Sequence, residues 1–284
     1  MNPIRILSFD AIADAVAELC GKAACDLPAD VLEALRTGRA EERGETARDF
    51  FDQYLENARI AREERMPLCQ DTGFAVFFVE LGDEVRLDRG TLTEALTEGT
   101  RRGYREHYLR KSIVNDPLFD RKNTTDNTPP VIHLDLVPGD HLRIVLAPKG
   151  GGSENMGAVR MLKPSDGKEG VVNFVVDTVR NAGGNPCPPT IVGVGIGGTM
   201  EKAALLAKRA LLRPLGQPNP DPRYAALERE ILEKINATGV GPQGLGGDVT
   251  SLAVHIDFHP CHIASMPVAL NLNCHAARHA EVTL

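Results

Sequence analysis

Apolar residues at Ile12, Ala15, Val16, Leu19 and Cys20 recur at the i, i+3, i+4, i+7, i+8 spacing of one helix face. Ala47, Phe50, Tyr54, Ala58 and Ala61 mark a second such face, opposite a row of Arg and Glu. Pro28 and the Gly38 to Gly44 region interrupt the pattern between them. The chain to about residue 65 is therefore expected to be helical. Beyond Met66-Pro67 the texture changes to mixed α/β. FAVFFVEL, residues 74 to 81, predicts a β-strand, and residues 91 to 110 predict a helix. VIHLDLV and HLRIVLA alternate on either side of Pro138-Gly139-Asp140, which predicts a hairpin. Further helices are expected over 170–181, 199–213 and 222–237, with TIVGVGIGG as a buried strand and GPQGLGG as a glycine-rich loop. No internal repeat of about 20–50 residues is present, which excludes solenoids and propellers. The sum is an α+β fold in which a helical N-terminal region, residues 1–65, packs on a mixed sheet-containing core, residues 66–284.

Composition narrows the function. With 284 residues, 42% hydrophobic and 25% charged, the chain is neither disordered nor fibrous. Lys and Arg number 32 against 39 Asp and Glu, a formal charge of −7. Without a local basic cluster, that balance repels nucleic acid and anionic membranes, so neither is an expected partner. No apolar run approaches the roughly 20 residues of a membrane span. Asp10, Asp14 and Glu18 interrupt any leader-like segment, so the expected location is the cytoplasm. Six cysteines in such a chain read as core thiols or metal ligands, not as a disulfide framework.

Gly193-Val194-Gly195-Ile196-Gly197-Gly198 fits the G-x-G-x-x-G pattern of dinucleotide folds. The helix after it runs into LLRPLGQPNPDPRY, where such a fold needs a second strand ending in an acidic residue. A glycine turn that lets a helix pack close to a strand is the expectation. His255, His259, His262, His275 and His279 lie with Cys261 and Cys274 in the last 30 residues. This density fits a zinc-binding module, and equally a set of solvated or hydrogen-bonded histidines at strand ends. Alternation in SLAVHIDF puts His255 and Asp257 on one strand face.

The cysteines divide by their surroundings. Cys20 and Cys25 belong to an Ala-rich amphipathic helix, where cysteine is a small buried hydrophobe. Cys69, Cys187 and Cys274 each lie among turn formers and polar residues. Three thiolates that met in space would suit an iron–sulfur cluster and leave one iron open, although spacing alone does not decide this. Consecutive glycines at 150 to 152, followed by Ser153-Glu154-Asn155, form either a surface loop or a cradle of N–H donors for an anion. Arg110, at the end of an expected helix, is either a C-terminal helix charge or a planar fork for a carboxylate.

Cys69-Gln70-Asp71-Thr72-Gly73, GGGSEN with MGAVRMLKPSDG, NPCPP around Cys187, GPQGLGG and HIASMPVALNLNCHAARHA together resemble the class I, iron–sulfur-dependent fumarate hydratases and the L-tartrate dehydratases. More narrowly, the chain is similar to their separate alpha subunit, from the N-terminal helices to the last residue. The resemblance implies a [4Fe–4S] cluster held by Cys69, Cys187 and Cys274 with one iron open, and reversible hydration of a C4 dicarboxylate. The first substrate expected is fumarate, with tartrate dehydration as the alternative. It further implies that Asp71 is the acid/base and that Gln70 hydrogen-bonds substrate. Arg110 would clamp one carboxylate, and Gly150, Ser153 and Asn155 would offer donors to the other. His262 would orient a cluster-bound hydroxyl or serve a supporting role. Cys261 stands where the resemblance implies a hydroxyl residue. In single-chain relatives a second domain follows and brings further Arg, Lys and Thr residues to the substrate. The chain is accordingly expected to be inactive alone and to need a separate beta subunit, in a two-alpha two-beta heterotetramer.

Overall fold

The structure is a computed structural model and describes residues 4–284. A short strand, β1 (Arg5–Leu7), leads into helices α1 (Phe9–Cys25), α2 (Ala29–Glu41) and α3 (Glu45–Glu64). The Ser8 hydroxyl accepts a hydrogen bond from the Ala11 N–H at the start of α1, with Asp10 in its first turn and Lys22 in its last. Then come β2 (Phe74–Gly82), β3 (Val85–Leu87), α4 (Leu92–Glu106), β4 (Val131–Val137), β5 (Leu142–Lys149), the single turn α5 (Gly151–Glu154) and β6 (Ala158–Leu162). The chain continues through α6 (Gly167–Ala182), β7 (Thr190–Gly197), α7 (Met200–Ala210), α8 (Pro222–Asn236), β8 (Ser251–His259), β9 (Met266–Asn273) and β10 (Ala280–Thr283). The architecture is α+β, as expected. Among the described residues no helix is long and apolar enough to cross a membrane.

Two compact units interleave along the chain. The first comprises the chain to Pro28, Ala58–Gly151 and Arg278–Leu284. Its sheet has the order β10-β5-β2-β4, with β2 antiparallel to β5 and parallel to β4. Ile12, Val16, Phe77, Val79, Leu96, Ile144 and Leu146 form its core. Helices α1 and α4 touch through glycine: a Cβ at Gly99 would lie 2.5 Å from Val16 Cβ, and one at Gly103 would lie 2.6 Å from Cys20 Cβ. A capping box of Thr91 and Glu94 starts α4.

The expected hairpin does not form. β4 and β5 flank β2 instead of pairing with each other, and their connection passes over the end of β2. The Gly82 N–H donates to the His141 carbonyl at 2.9 Å and the Asp83 N–H to the Val137 carbonyl at 2.9 Å. A strand as apolar as FAVFFVEL is stable only with both edges paired, whereas the alternating VIHLDLV tolerates an edge.

The second unit comprises Ala29–Asn57 and Gly152–Ala277. Its sheet runs β6-β9-β7-β8, and β7 pairs parallel with β8 and antiparallel with β9. Val171, Val175, Val192, Val194, Ile231, Ile256, Leu270 and Leu272 build its core. The glycine motif does what the sequence implied. A Cβ at Gly193 would lie 2.1 Å from the Ala207 carbonyl oxygen, and one at Gly195 would lie 2.0 Å from that of Ala203, so α7 rests directly on β7.

Candidate active site

In the first unit, the loop Cys69–Gly73 between α3 and β2 is pinned by backbone and side-chain bonds. The buried Tyr104 hydroxyl donates to the carbonyls of Thr72 (3.1 Å) and Gly73 (2.9 Å). Burial pushes the Tyr104 phenol far above its ordinary pKa, so it stays a donor. Asn127 Nδ2 donates to the Gly73 carbonyl at 3.2 Å, and its Oδ1 accepts the Ser112 N–H at 2.7 Å. Arg278, itself buried, donates to the Asp71 carbonyl. Gly73 has φ +85° and would place a Cβ 2.8 Å from the Lys149 nitrogen, so the turn requires glycine.

This frame holds one carboxylate in place. Asp71 Oδ1 accepts the Gly73 N–H at 3.0 Å and Oδ2 accepts the Gly151 N–H at 2.8 Å, with Gly150 directly alongside. Each oxygen keeps a second lone pair for another proton. The Asp71 N–H is directed at Cys69 Sγ, 3.4 Å away, and Gln70 Oε1 lies 3.2 Å from that sulfur. Gln70 is exposed. Arg110 is also exposed, but it does not end a helix as expected. α4 stops at Glu106, because the chain turns through Tyr108 at φ +54°, and the Arg110 carbonyl instead accepts the Thr72 hydroxyl at 3.1 Å.

In the second unit, two cysteine-bearing segments are joined. Cys187 lies in a turn at φ +55°, its N–H donating to the Gly184 carbonyl at 3.0 Å. Its own carbonyl accepts the His275 N–H at 3.3 Å, with His275 Nδ1 at 3.0 Å. Cys274 is thereby brought into the neighbourhood of Cys187. The His275 ring stacks on Tyr54 with centroids 3.9 Å apart and an interplanar angle of 17°. The Tyr54 hydroxyl donates to the Pro188 carbonyl at 3.3 Å and accepts from Gln243 Nε2 at 2.8 Å. Its pKa is pushed up to about 12, by burial first and then by the nearby sulfurs of Cys187 and Cys274, against the lowering effect of Gln243. GPQGLGG is thus the loop that delivers Gln243. Ser153 is buried and Asn155 exposed at the end of α5, and Gly152 would place a Cβ 3.3 Å from the Asn185 carbonyl oxygen in the turn before Cys187.

Three other C-terminal histidines, His255, His259 and His262, each bond a main-chain group. His255 Nδ1 lies 3.1 Å from the Ala210 carbonyl oxygen, and its pKa falls to about 4 because burial, and then Arg213, disfavour its charged form. His259 Nδ1 lies 2.9 Å from the Pro260 carbonyl oxygen, and the exposed His262 accepts the Ala264 N–H at 3.1 Å on Nδ1. His262 and Cys261 line a groove of about 660 Å³ with Thr199, Lys202 and His259. Among the described residues no three His, Cys, Asp or Glu side chains are grouped to hold a metal ion. The main-chain partners of His255, His259 and His262 fit the hydrogen-bonded reading of these histidines. In the first unit a main-chain N–H is aimed at Cys69 Sγ, and in the second the Cys187 and Cys274 segments are joined through His275; each thiol stands in a polar loop, the donor chemistry that iron–sulfur ligation uses.

A profile of the fumarate hydratase (Fumerase) family matches residues 13–283, nearly the whole of this chain. The chain belongs to the fumarate hydratase family. It is similar to a Methanocaldococcus jannaschii protein named "Putative L(+)-tartrate dehydratase subunit alpha", 44% identical over 274 residues, covering 95% of this chain and 96% of that one. The L(+)-tartrate dehydratase subunit alpha proteins of Escherichia coli K12 and Shigella sonnei are each 34% identical over 282 residues, covering 96% of this chain and 92% of theirs. As a member of this iron–sulfur-dependent family, the chain is a hydro-lyase. The sequence did not mark Tyr104, Asn127, Gln243 or Arg278 as positioning residues, and it offered His275 only as a zinc ligand or a hydrogen-bonded histidine. Tyr54 had shown only as one position of an apolar helix face, and nothing in AARHA marks Arg278 as buried.

Proposed function

We propose that this chain is the alpha subunit of an iron–sulfur hydro-lyase that interconverts fumarate and malate in the cytoplasm, working with a separate beta subunit in a two-alpha two-beta assembly. In this reading Cys69, Cys187 and Cys274 are the three ligands of a [4Fe–4S] cluster. When bound, such a cluster supplies an open iron as Lewis acid for the substrate hydroxyl. The observation that carries the reading is the bond between His275 and the Cys187 carbonyl, which draws two cysteines to one tyrosine.

The chain's own residues then divide the remaining work. Asp71, oriented by the N–H groups of Gly73 and Gly151, uses its unoccupied lone pairs to take or return a proton at the substrate. Gln70 hydrogen-bonds the substrate. Arg110 offers its fork to one carboxylate, and Gly150, Ser153 and Asn155 offer donors to the other. His262 orients the hydroxyl that leaves or adds. Tyr104, Asn127 and Arg278 fix the main chain on which Gln70 and Asp71 stand, which keeps these groups at set distances. A second reading, dehydration of tartrate to oxaloacetate, is favoured by the names of the relatives. The two substrates differ by one hydroxyl, which pocket detail must recognise.

The test is anaerobic purification of the chain alone and of the chain co-expressed with a partner subunit, followed by iron and sulfide analysis and a panel of fumarate, malate and tartrate. A brown, sulfide-containing protein is expected, with turnover only in the presence of the partner and activity that decays in air. A colourless protein, or full air-stable turnover by the chain alone, overturns the reading. The panel decides between malate and tartrate.

A further inference from the structure

β4 is the outer strand of the first unit's sheet, and among the described residues no strand pairs with its free edge. Its pairing with β2 sets Ile132 beside Phe77, Leu134 beside Val79 and Leu136 beside Leu81, so these three residues lie on the face that forms the core. Yet Leu134 is 49% and Leu136 74% exposed, with Val131 at 39% on the opposite face. The apolar face of the sheet therefore runs out into solvent along a seven-residue edge, an arrangement that natural proteins ordinarily protect with lysine, proline or a bulge. VIHLDLV carries none of these within the strand.

The sequence of this edge is complementary to itself. In an antiparallel pair of two copies centred on Leu134, Val131 faces Val137, Ile132 faces Leu136, His133 faces Asp135 and Leu134 faces its own copy. One face of the ribbon becomes a continuous apolar row, and the other carries two histidine–aspartate pairs. The registers two residues away on either side set His133 opposite His133 or Asp135 opposite Asp135, which places like groups together. The exposed edge of the second unit's sheet, β6, behaves oppositely. Its central residue is Arg160, so centred self-pairing brings two guanidinium groups face to face.

We propose that two copies of this chain associate edge to edge through β4, antiparallel, with the two-fold axis at Leu134. The joined sheet has eight strands in the order β10-β5-β2-β4-β4-β2-β5-β10, and Leu134 and Leu136 are covered by the other copy. The inference rests on the strand alone and is independent of the chemistry assigned to the cysteines.

Sedimentation of the full chain tests it. The unaltered chain is expected to be a dimer at micromolar concentration. Leu134→Arg should weaken self-association at least about 100-fold, since it sets like charges on the axis, while the circular dichroism spectrum stays unchanged. His133→Asp should weaken it too, and the double exchange His133→Asp with Asp135→His should restore it. Leu134→Cys should yield a covalent dimer under oxidised glutathione that the unaltered chain does not form, because the two copies of residue 134 then face each other on the two-fold axis and a small inward shift brings their sulfurs into bonding range. A monomeric unaltered chain overturns the proposal, as does a dimer that survives Leu134→Arg. Loss of a different co-expressed subunit on Leu134→Arg, with the chain alone monomeric, assigns the edge to that subunit and overturns self-pairing.

Discussion

Cys20 and Cys274 carry the same side chain in opposite surroundings. Cys20 is enclosed between α1 and α4 against Gly103, and burial raises its thiol pKa to about 12, so it behaves as a small apolar group. Cys274 sits in a half-buried loop beside His275, whose bond to Cys187 fixes its place. The same division separates two histidines. His255 is sealed under α7, neutral, against the Ala210 carbonyl, while His275 is stacked on Tyr54 with its main chain bonded to a second cysteine segment. Residue type alone therefore says little about chemistry in this molecule. What distinguishes the two classes is whether a side chain is enclosed by packing or held at a loop by polar bonds.

The sharpest way to break this contrast is to remove sulfur from both classes. Cys187→Ala and Cys274→Ala should each abolish the anaerobic visible absorbance and lower turnover by at least about 1,000-fold, as loss of a metal ligand does, whereas Cys20→Ala should keep both. An absorbance spectrum that survives Cys274→Ala but not Cys20→Ala would invert the assignment. Next in size is His275→Ala. Removing a group that orients a ligand segment should weaken iron retention about 10–100-fold against a chelator, with the fold intact. Chelation rates indistinguishable from those of the unaltered protein would make His275 a packing residue like His255.

For His255 the readout is stability against pH. Its pKa in the folded chain is about 4 against an ordinary 6.5, so below pH 6.5 the unfolded chain binds the proton and the folded chain does not. Stability is therefore fully present above pH 6.5 and is lost as pH falls toward 4, by on the order of 3 kcal/mol. Urea midpoints measured from pH 7 to pH 4 should show this acid limb flattened in His255→Gln. An unchanged limb would mean that other groups govern it. The smallest effect expected is that of Tyr104→Phe, which leaves the buried Thr72 carbonyl without its phenol donor and should cost about 1–2 kcal/mol. Activity should fall with it as the Asp71 loop loosens, and a stability loss with wholly unchanged turnover would separate the frame from the site.

The periodic elements were legible because their signal is local. The face of α1 follows Ile12, Val16, Leu19 and Cys20 as spaced, and β2 forms where FAVFFVEL predicts it. Alternation identified β4 and β5 as strands but carried no information on which neighbour each would take, and the intervening strand comes from more than 40 residues earlier in the chain. The same limit applies to the site. Turn-rich surroundings separated Cys69, Cys187 and Cys274 from Cys20 and Cys25. The partner of His275 lies 88 residues away, and that of Arg278 lies 207 away, so no window of sequence contains either contact. Arg110 was misplaced on a helix because apolar spacing persists through Leu109, while the left-handed turn at Tyr108 is a backbone event that tyrosine does not advertise.

The interleaving of the two units also sets an order of events during synthesis. Leu146 of β5 pairs with Ala280 of β10, so 280 − 146 = 134 further residues must be made before that edge closes. Throughout the interval a nascent chain exposes an apolar strand with an unfilled side, while every strand of the other sheet is being added. Pairing that spans so much of the chain forms late and slows assembly.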